Sequence, residues 1–199
     1  MPYGPRGPRR SDARRNRMAI IQAAVDVMSD PRAPVMMPEI ARRAGVGQAT
    51  LYRHFPDRNA LAEAVIGYEI SRLEACIDGP GEPVPFLDLL REVLRTQVMM
   101  RSLVALTYRL DPRTRERYER RMITVLAGPL RRAQERREVR GDVRARDLAL
   151  LFGMLEGVMR SSGGGSRGGG DADAATAHAD ACRSIELMLD GLTDRSSAV

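Results

Sequence analysis

The first regular run of apolar positions begins after Ser11 and Asp12, either of which can cap a helix. Ile21, Ala24, Val25 and Met28 follow at i, i+3, i+4 and i+7, which places them on one helical face. That helix must stop by Asp30, because Pro31 comes next. Two short helices are predicted after it. One runs from about Pro38, a good first-turn residue, to Ala44, with Ile40 and Ala41 inward and Gly45 as its stop. The other runs from about Gln48 to His54. Pro56 and Asp57 then open a longer helix reaching Asp78, on which Leu61, Ala64, Val65 and Tyr68 form one stripe and Ile66, Ile70, Leu73 and Ile77 another. A helix that is apolar on two sides packs between two bodies, so residues 57–78 are predicted to be a strut between an N-terminal domain and the rest.

The segment Asp78-Gly-Pro-Gly-Glu-Pro is the clearest break in the chain. Beyond it, Phe86, Leu89, Leu90 and Val93 begin a fifth helix that ends near Arg101, and a shorter sixth spans Leu103 to Leu110. Pro112 starts a seventh, charged outside, with Tyr118, Met122, Val125 and Leu126 inward. Gly128-Pro129 is expected to kink or interrupt it, since proline lacks the amide donor. The eighth, about Arg144 to Arg160, carries Leu148, Leu151, Phe152 and Leu155, widened by Met154 and Val158; this is more apolar surface than one partner covers. Ser161 to Gly170 reads as a flexible Gly/Ser loop. A last helix from about Asp171 to Leu192 is alanine-rich at first and carries Ile185, Met188 and Leu189 later. Residues 1–10, with prolines and glycines between arginines, read as a mobile basic arm. No strand pattern, internal repeat or sustained heptad is present, so the fold class is all-α.

Length changes this picture little: 199 residues with 43% apolar content suffice for one small domain and one larger. Cys76 and Cys182 lie far apart, and no Cys or His at ligand spacing is read beside either, so no disulfide framework or zinc site is expected and a reducing cytoplasm fits. No stretch of signal-peptide or membrane-span length is found, which predicts a soluble cytoplasmic protein. Charge is more informative. Residues 1–60 hold 11 Arg against 5 acidic residues, while residues 61–199 hold 21 of each, so the whole net charge of +6 sits in the first third. That asymmetry points to a nucleic-acid or anionic-membrane surface at that end, with a merely solvated basic tail as the plainer alternative.

Residues 35–61 decide between these. Ile40, Ala41, Ala44, Val46, Leu51 and Phe55 are the inward positions of two short helices crossing at a tight turn, and Gly45 supplies the left-handed backbone there. The second helix presents Gln48, Ala49, Thr50, Tyr52, Arg53 and His54 outward, polar, amide and basic groups suited to a major groove. The run Ile-Ala-x-x-Ala-Gly-Val-x-x-x-Thr-Leu-Tyr-x-His-Phe-x-x-Arg-x-x-Leu resembles the helix-turn-helix signature of the TetR family over roughly residues 11–70. The resemblance implies that Gln48, Ala49 and Thr50 meet base edges or nearby phosphates, that Tyr52 and His54 bind the backbone, and that Arg58 reaches a phosphate. Arg53, at the variable position of Tyr-x-His-Phe, is placed for guanine. Arg14 and Arg43 could add phosphate contacts, whereas Phe55 and Leu61 only pack. One departure is Met36-Met37 before Pro38, where the family often has a Thr or Ser cap; a hydroxyl contact to phosphate is then missing.

The resemblance further implies a division into the arm (1–10), a three-helix DNA-binding domain with the helix-turn-helix (11–56), a connecting helix (57–78) and a larger helical ligand-binding and dimerisation domain (79–199). The last two helices would pair with their copies in a homodimer. Candidate pocket residues are Phe86, Met99, Tyr108, Met122 and Phe152, and the expected protein is a repressor of a palindromic operator, released by an unidentified small molecule, with no cofactor or metal. Plainer readings stand beside these: the methionines Met99, Met100, Met122, Met154 and Met159 also suit core filling, His54 a surface histidine, and Tyr52 a packing residue. An enzyme is not expected, because the two histidines, His54 and His178, belong to no nucleophile, metal or phosphate-loop constellation, and Gly163 to Gly170 lacks the following Lys-Ser/Thr. A sequence-indifferent architectural DNA binder is the remaining rival, to be separated by footprinting against competitor DNA.

Overall fold

The computed structural model of the chain describes residues 8–29, 36–107, 110–163 and 171–194. Among them run α1 (Pro8–Ser29), α2 (Met37–Arg43), α3 (Gln48–His54), α4 (Arg58–Ile77), α5 (Phe86–Met99), α6 (Arg101–Thr107), α7 (Pro112–Glu135), α8 (Asp147–Gly163) and α9 (Asp171–Leu192). The one extended pairing among the described residues is an isolated antiparallel bridge between Val139 and Thr193. Helix α1 starts at Pro8, three residues inside the expected arm, because proline fits a first helical turn where its missing donor has no partner to lose. Residues 1–7 of the arm and 164–170 of the expected Gly/Ser loop lie outside the described residues.

The chain divides into two compact units, Met1–Glu69 with Met99–Arg115 and Ile70–Val98 with Glu116–Val199. In the first, α1 buries Ile20, Ile21, Ala24, Val27 and Met28 against Ile40 and Ala41 of α2, Leu51 of α3, Phe55, and Leu61 and Val65 of α4. Burying one such aliphatic side chain contributes roughly 1.5–3 kcal/mol. Met100, Leu103 and Leu106 bring α6 into the same core, although a boundary at residue 79 would assign them to the C-terminal part. Ile66 of α4 also packs here, beside the stripe of Leu61 and Val65 and not with Leu73, which belongs to the other core.

In the second unit, Phe86, Leu90, Leu94 and Val98 recur every four residues along α5 and meet Leu126 and Leu130 of α7, Leu148 and Leu155 of α8, and Ala181, Ile185 and Leu189 of α9. The small Ala177 and Ala181 are buried, which lets α9 run close against α8. Of the two outcomes expected at Gly128-Pro129, a kink or an interruption, the interruption does not occur. The helix is continuous from Pro112 to Glu135, with Pro129 buried among Leu126, Leu130 and Ala133. A proline inside a helix costs ~3 kcal/mol, and this core contact works against that cost.

Candidate nucleic-acid interface

The turn between α2 and α3 is closed by the backbone itself. Gly45 N–H donates to Arg42 O at 3.2 Å and Val46 N–H to Ala41 O at 3.0 Å, with Gly45 at φ +66°. This is the left-handed helix stop that glycine adopts without steric cost. Two residues later Gly47 begins α3 with its carbonyl accepting from Thr50 N–H at 2.9 Å and Leu51 N–H at 3.1 Å. Leu51 and Phe55 then anchor α3 in the first core, so the remaining positions of its seven residues face outward. Gln48, Ala49, Tyr52 and Arg53 are exposed, and Thr50 and His54 are half-buried.

Several of these side chains are already held. Arg53 Nη2 donates to Thr50 Oγ1 at 2.9 Å, which draws the guanidinium along the exposed face of α3. The His54 ring lies 6.4 Å from the Phe55 ring. Arg58 is exposed as the first residue of α4, immediately after Asp57, whose carboxylate caps that helix by accepting from Ala60 N–H at 2.8 Å. On α2, Arg43 Nε donates to Glu39 Oε1 at 2.8 Å. The cap of α2 is Met36, which supplies no side-chain hydrogen bond. Met37 is buried and Met36 half exposed. Arg14 is exposed on α1, and its neighbour Arg15 pairs with Asp12 at 2.8 Å.

Sequence reasoning missed three charged residues here. The guanidinium of Arg17 sits 5.1 Å from the centre of the Phe55 ring, a cation–π contact that ties α1 to the end of α3. Its signal was the position one turn before Ile20 and Ile21. Glu39 accepts from Arg42 Nε at 2.8 Å and Nη2 at 2.7 Å, besides Arg43. The hydrogen bonds from Arg42 first and Arg43 second hold its carboxyl at about 2. The signal was an acid at i with arginines at i+3 and i+4.

The candidate pocket residues are brought together only in part. Phe86 is fully buried in the second core, and Met122 and Phe152 pack half-buried against it. Met99 is 43% exposed and belongs to the first unit, and Tyr108 lies outside the described residues. Two polar residues near this group escaped the sequence reading: Gln97 Nε2 donates to Phe152 O at 3.2 Å, and Glu156 is the one buried charged residue among those described. Burial raises its pKa, opposed by Arg160 at 3.5 Å. The reading that Cys182 has no histidine at ligand spacing is corrected. His178 stands one helical turn before it, with Nε2 3.6 Å from Sγ, although no group of three metal-ligating side chains forms among the described residues. Among the described residues no helix is long and apolar enough to cross a membrane.

The family model for bacterial regulatory proteins of the tetR family matches residues 20–65, from the middle of α1 into α4. A TetR transcription regulatory protein from Mycobacterium vanbaalenii is 29% identical, with 94% of this chain and 99% of that one superposed at a TM-score of 0.60. Residues 20–65 thus form a helix-turn-helix region of the TetR type. A TetR transcriptional regulator from Streptomyces coelicolor gives 26% identity over 90% of this chain and 99% of its own, at a TM-score of 0.58. A stretch of 53 residues is also 42% identical to part of the nucleoid occlusion factor SlmA of Marinobacter nauticus. That stretch is 26% of this chain and 27% of that protein. The fold is therefore the TetR all-helical fold with an N-terminal helix-turn-helix, and the protein is a DNA-binding transcriptional regulator. The family match contains every candidate DNA-contacting residue except Arg14, which precedes it.

Proposed function

We propose that this protein is a TetR family repressor that grips a palindromic operator as a homodimer and leaves it when a small molecule enters the second unit. The observation that carries the reading is the outward face of α3, where Gln48, Ala49, Tyr52 and Arg53 are exposed while Leu51 and Phe55 fix the helix from behind. Gln48, Ala49 and Thr50 read base edges; Tyr52, His54, Arg58, Arg43 and Arg14 bind phosphates; and Arg53 takes guanine. Dimerisation is supported by exposed apolar side chains on α8 and α9, Leu150 at 64%, Met154 at 56% and Leu187 at 54%. Two copies related by two-fold symmetry would meet half-sites about one helical turn apart or somewhat more.

The effector would sit by Phe86, Met122 and Phe152. Helix α4 is the natural connection, since its first twelve residues, 58–69, group with the first unit and 70–77 with the second. Within the second unit Arg121 holds it to α7, donating to Glu74 at 2.9 and 2.6 Å and to Ser71 at 3.0 Å. Only a ligand with different affinities for the DNA-bound and released states can drive release, with a coupling of typically about 1–3 kcal/mol. The test is footprinting of the purified protein on DNA flanking its coding region, with excess competitor. A protected palindrome is expected, and diffuse, salt-labile retention without protection would leave the architectural reading in its place.

A further inference from the structure

The exposed side of α2 carries one acid and two arginines in contact. Glu39 Oε1 accepts from Arg42 Nη2 at 2.7 Å and from Arg43 Nε at 2.8 Å, and Oε2 accepts from Arg42 Nε at 2.8 Å. The side chains are 29% exposed for Glu39, 72% for Arg42 and 37% for Arg43. In a helix-turn-helix the helix before the recognition helix crosses the sugar-phosphate backbone. These are then the guanidiniums a phosphate would use, and the two-nitrogen edge of Arg42 that suits an oxyanion is occupied by a carboxylate. With its pKa held at about 2, Glu39 stays ionised anywhere near neutral pH.

We propose that Glu39 is a specificity-determining residue, which competes with DNA phosphates for Arg42 and Arg43 and so weakens binding to duplex of arbitrary sequence more than binding to the operator. The inference rests on the DNA-binding reading above and deepens it. Non-specific binding draws almost entirely on phosphate neutralisation, so an internal carboxylate on two phosphate-facing arginines acts on its main source of affinity. If an arginine leaves Glu39 for a phosphate, two anions remain side by side; if it stays, a counterion is not released. On the operator, base contacts from α3 fix the register. Arg42 can there offer its unused Nη1 hydrogens to one phosphate without leaving Glu39, since a guanidinium has five donors. The penalty therefore falls unequally, and the residue acts by subtraction.

The experiment measures binding of wild type, Glu39→Gln and Glu39→Ala to a random-sequence duplex and to the footprinted duplex, across a range of salt. Both variants are expected to bind the random duplex about 3- to 10-fold more tightly near 0.1 M salt and the protected duplex less than about 2-fold more tightly, with a salt slope on the random duplex steeper by about one to two. Adding Arg42→Gln and Arg43→Gln should abolish the gain. Alanine favours the helix, so Glu39→Ala keeps the test usable if the glutamine variant folds poorly, and far-ultraviolet circular dichroism checks both. An equal gain on the two duplexes, or no gain, overturns the proposal. Weaker binding on both also overturns it, because Glu39 would then be orienting the arginines toward phosphate. Failure of the wild type to bind any duplex at low salt would instead overturn the DNA-binding reading itself.

Discussion

Helices α2 and α7 end in the same turn, built on different residues. At α2, Gly45 donates to Arg42 O and Val46 to Ala41 O at 3.2 and 3.0 Å; at α7, Arg137 donates to Gln134 O and Glu138 to Ala133 O at 3.0 and 2.9 Å. The central φ is +66° at Gly45 and +57° at Arg137. An L side chain in that conformation costs ~1–2 kcal/mol, which α7 carries and α2 does not. The contrast extends to the units around them. In the first, within eleven residues, Gly45, Gly47, Leu51 and Phe55 each fix one feature of a local motif. The second exposes Leu150, Met154 and Leu187, buries Glu156, and runs a helix through Pro129. The helix-turn-helix is specified by neighbours in sequence, the second unit by contacts between distant helices.

The largest expected effect breaks the tighter unit. Phe55 is 2% exposed and also seats the Arg17 guanidinium. Phe55→Ala should cost about 3–5 kcal/mol in urea unfolding and abolish DNA binding, and a loss below ~1 kcal/mol would mean that this core is not the one described. Gly45→Ala comes next. A Cβ built at Gly45 meets no atom within 4 Å, so the penalty is purely conformational and should be about 1–2 kcal/mol by thermal melting. A neutral result would show that the turn can leave its left-handed conformation while keeping α3 in place.

What was legible in the sequence follows the same contrast. The ends of α3 and its inward residues Leu51 and Phe55 were readable because Gly, apolar spacing and a following Pro-Asp all act within one or two turns. The packing of α6 on the first core was not, because nothing between residues 100 and 107 says which distant helix those side chains meet. Proline's local rule was outweighed at Pro129 by burial that a one-dimensional pattern does not display. Glu39 and Arg17 were visible as letters, but their roles depend on where two guanidiniums settle. Of the five pocket candidates that the resemblance suggested, Phe86, Met122 and Phe152 share one core.

The next test asks how far the looser unit tolerates a buried charge. Burial raises the Glu156 pKa, with Arg160 pulling the other way. A group whose folded pKa lies above its unfolded value stabilises the fold fully below the unfolded value, and that stability is lost as pH rises through the folded one. Wild type should therefore lose stability above roughly pH 4.3 relative to Glu156→Gln, which cannot ionise, and the variant should melt higher at pH 7. Identical melting curves for the two from pH 4 to 7 would mean that the ion pair with Arg160 cancels the burial cost.

The smallest expected effect goes back to the two turns and exchanges their chemistry. Arg137→Gly relieves a left-handed cost of ~1–2 kcal/mol but gives the unfolded chain more freedom, which takes back roughly 0.5–1 kcal/mol. Arg137 also takes part in a further interaction, which the substitution can remove. The net should be a stabilisation of a few tenths of a kcal/mol, read as a small rise in urea midpoint at unchanged slope. Arg137→Ala separates the contributions, since it deletes the side chain and keeps the strained backbone. If the alanine variant is destabilised and the glycine variant merely restores wild-type stability, the strain equals the lost interaction and the added chain freedom together. If glycine destabilises as much as alanine, the left-handed strain at α7 is no larger than the freedom that glycine gives the unfolded chain.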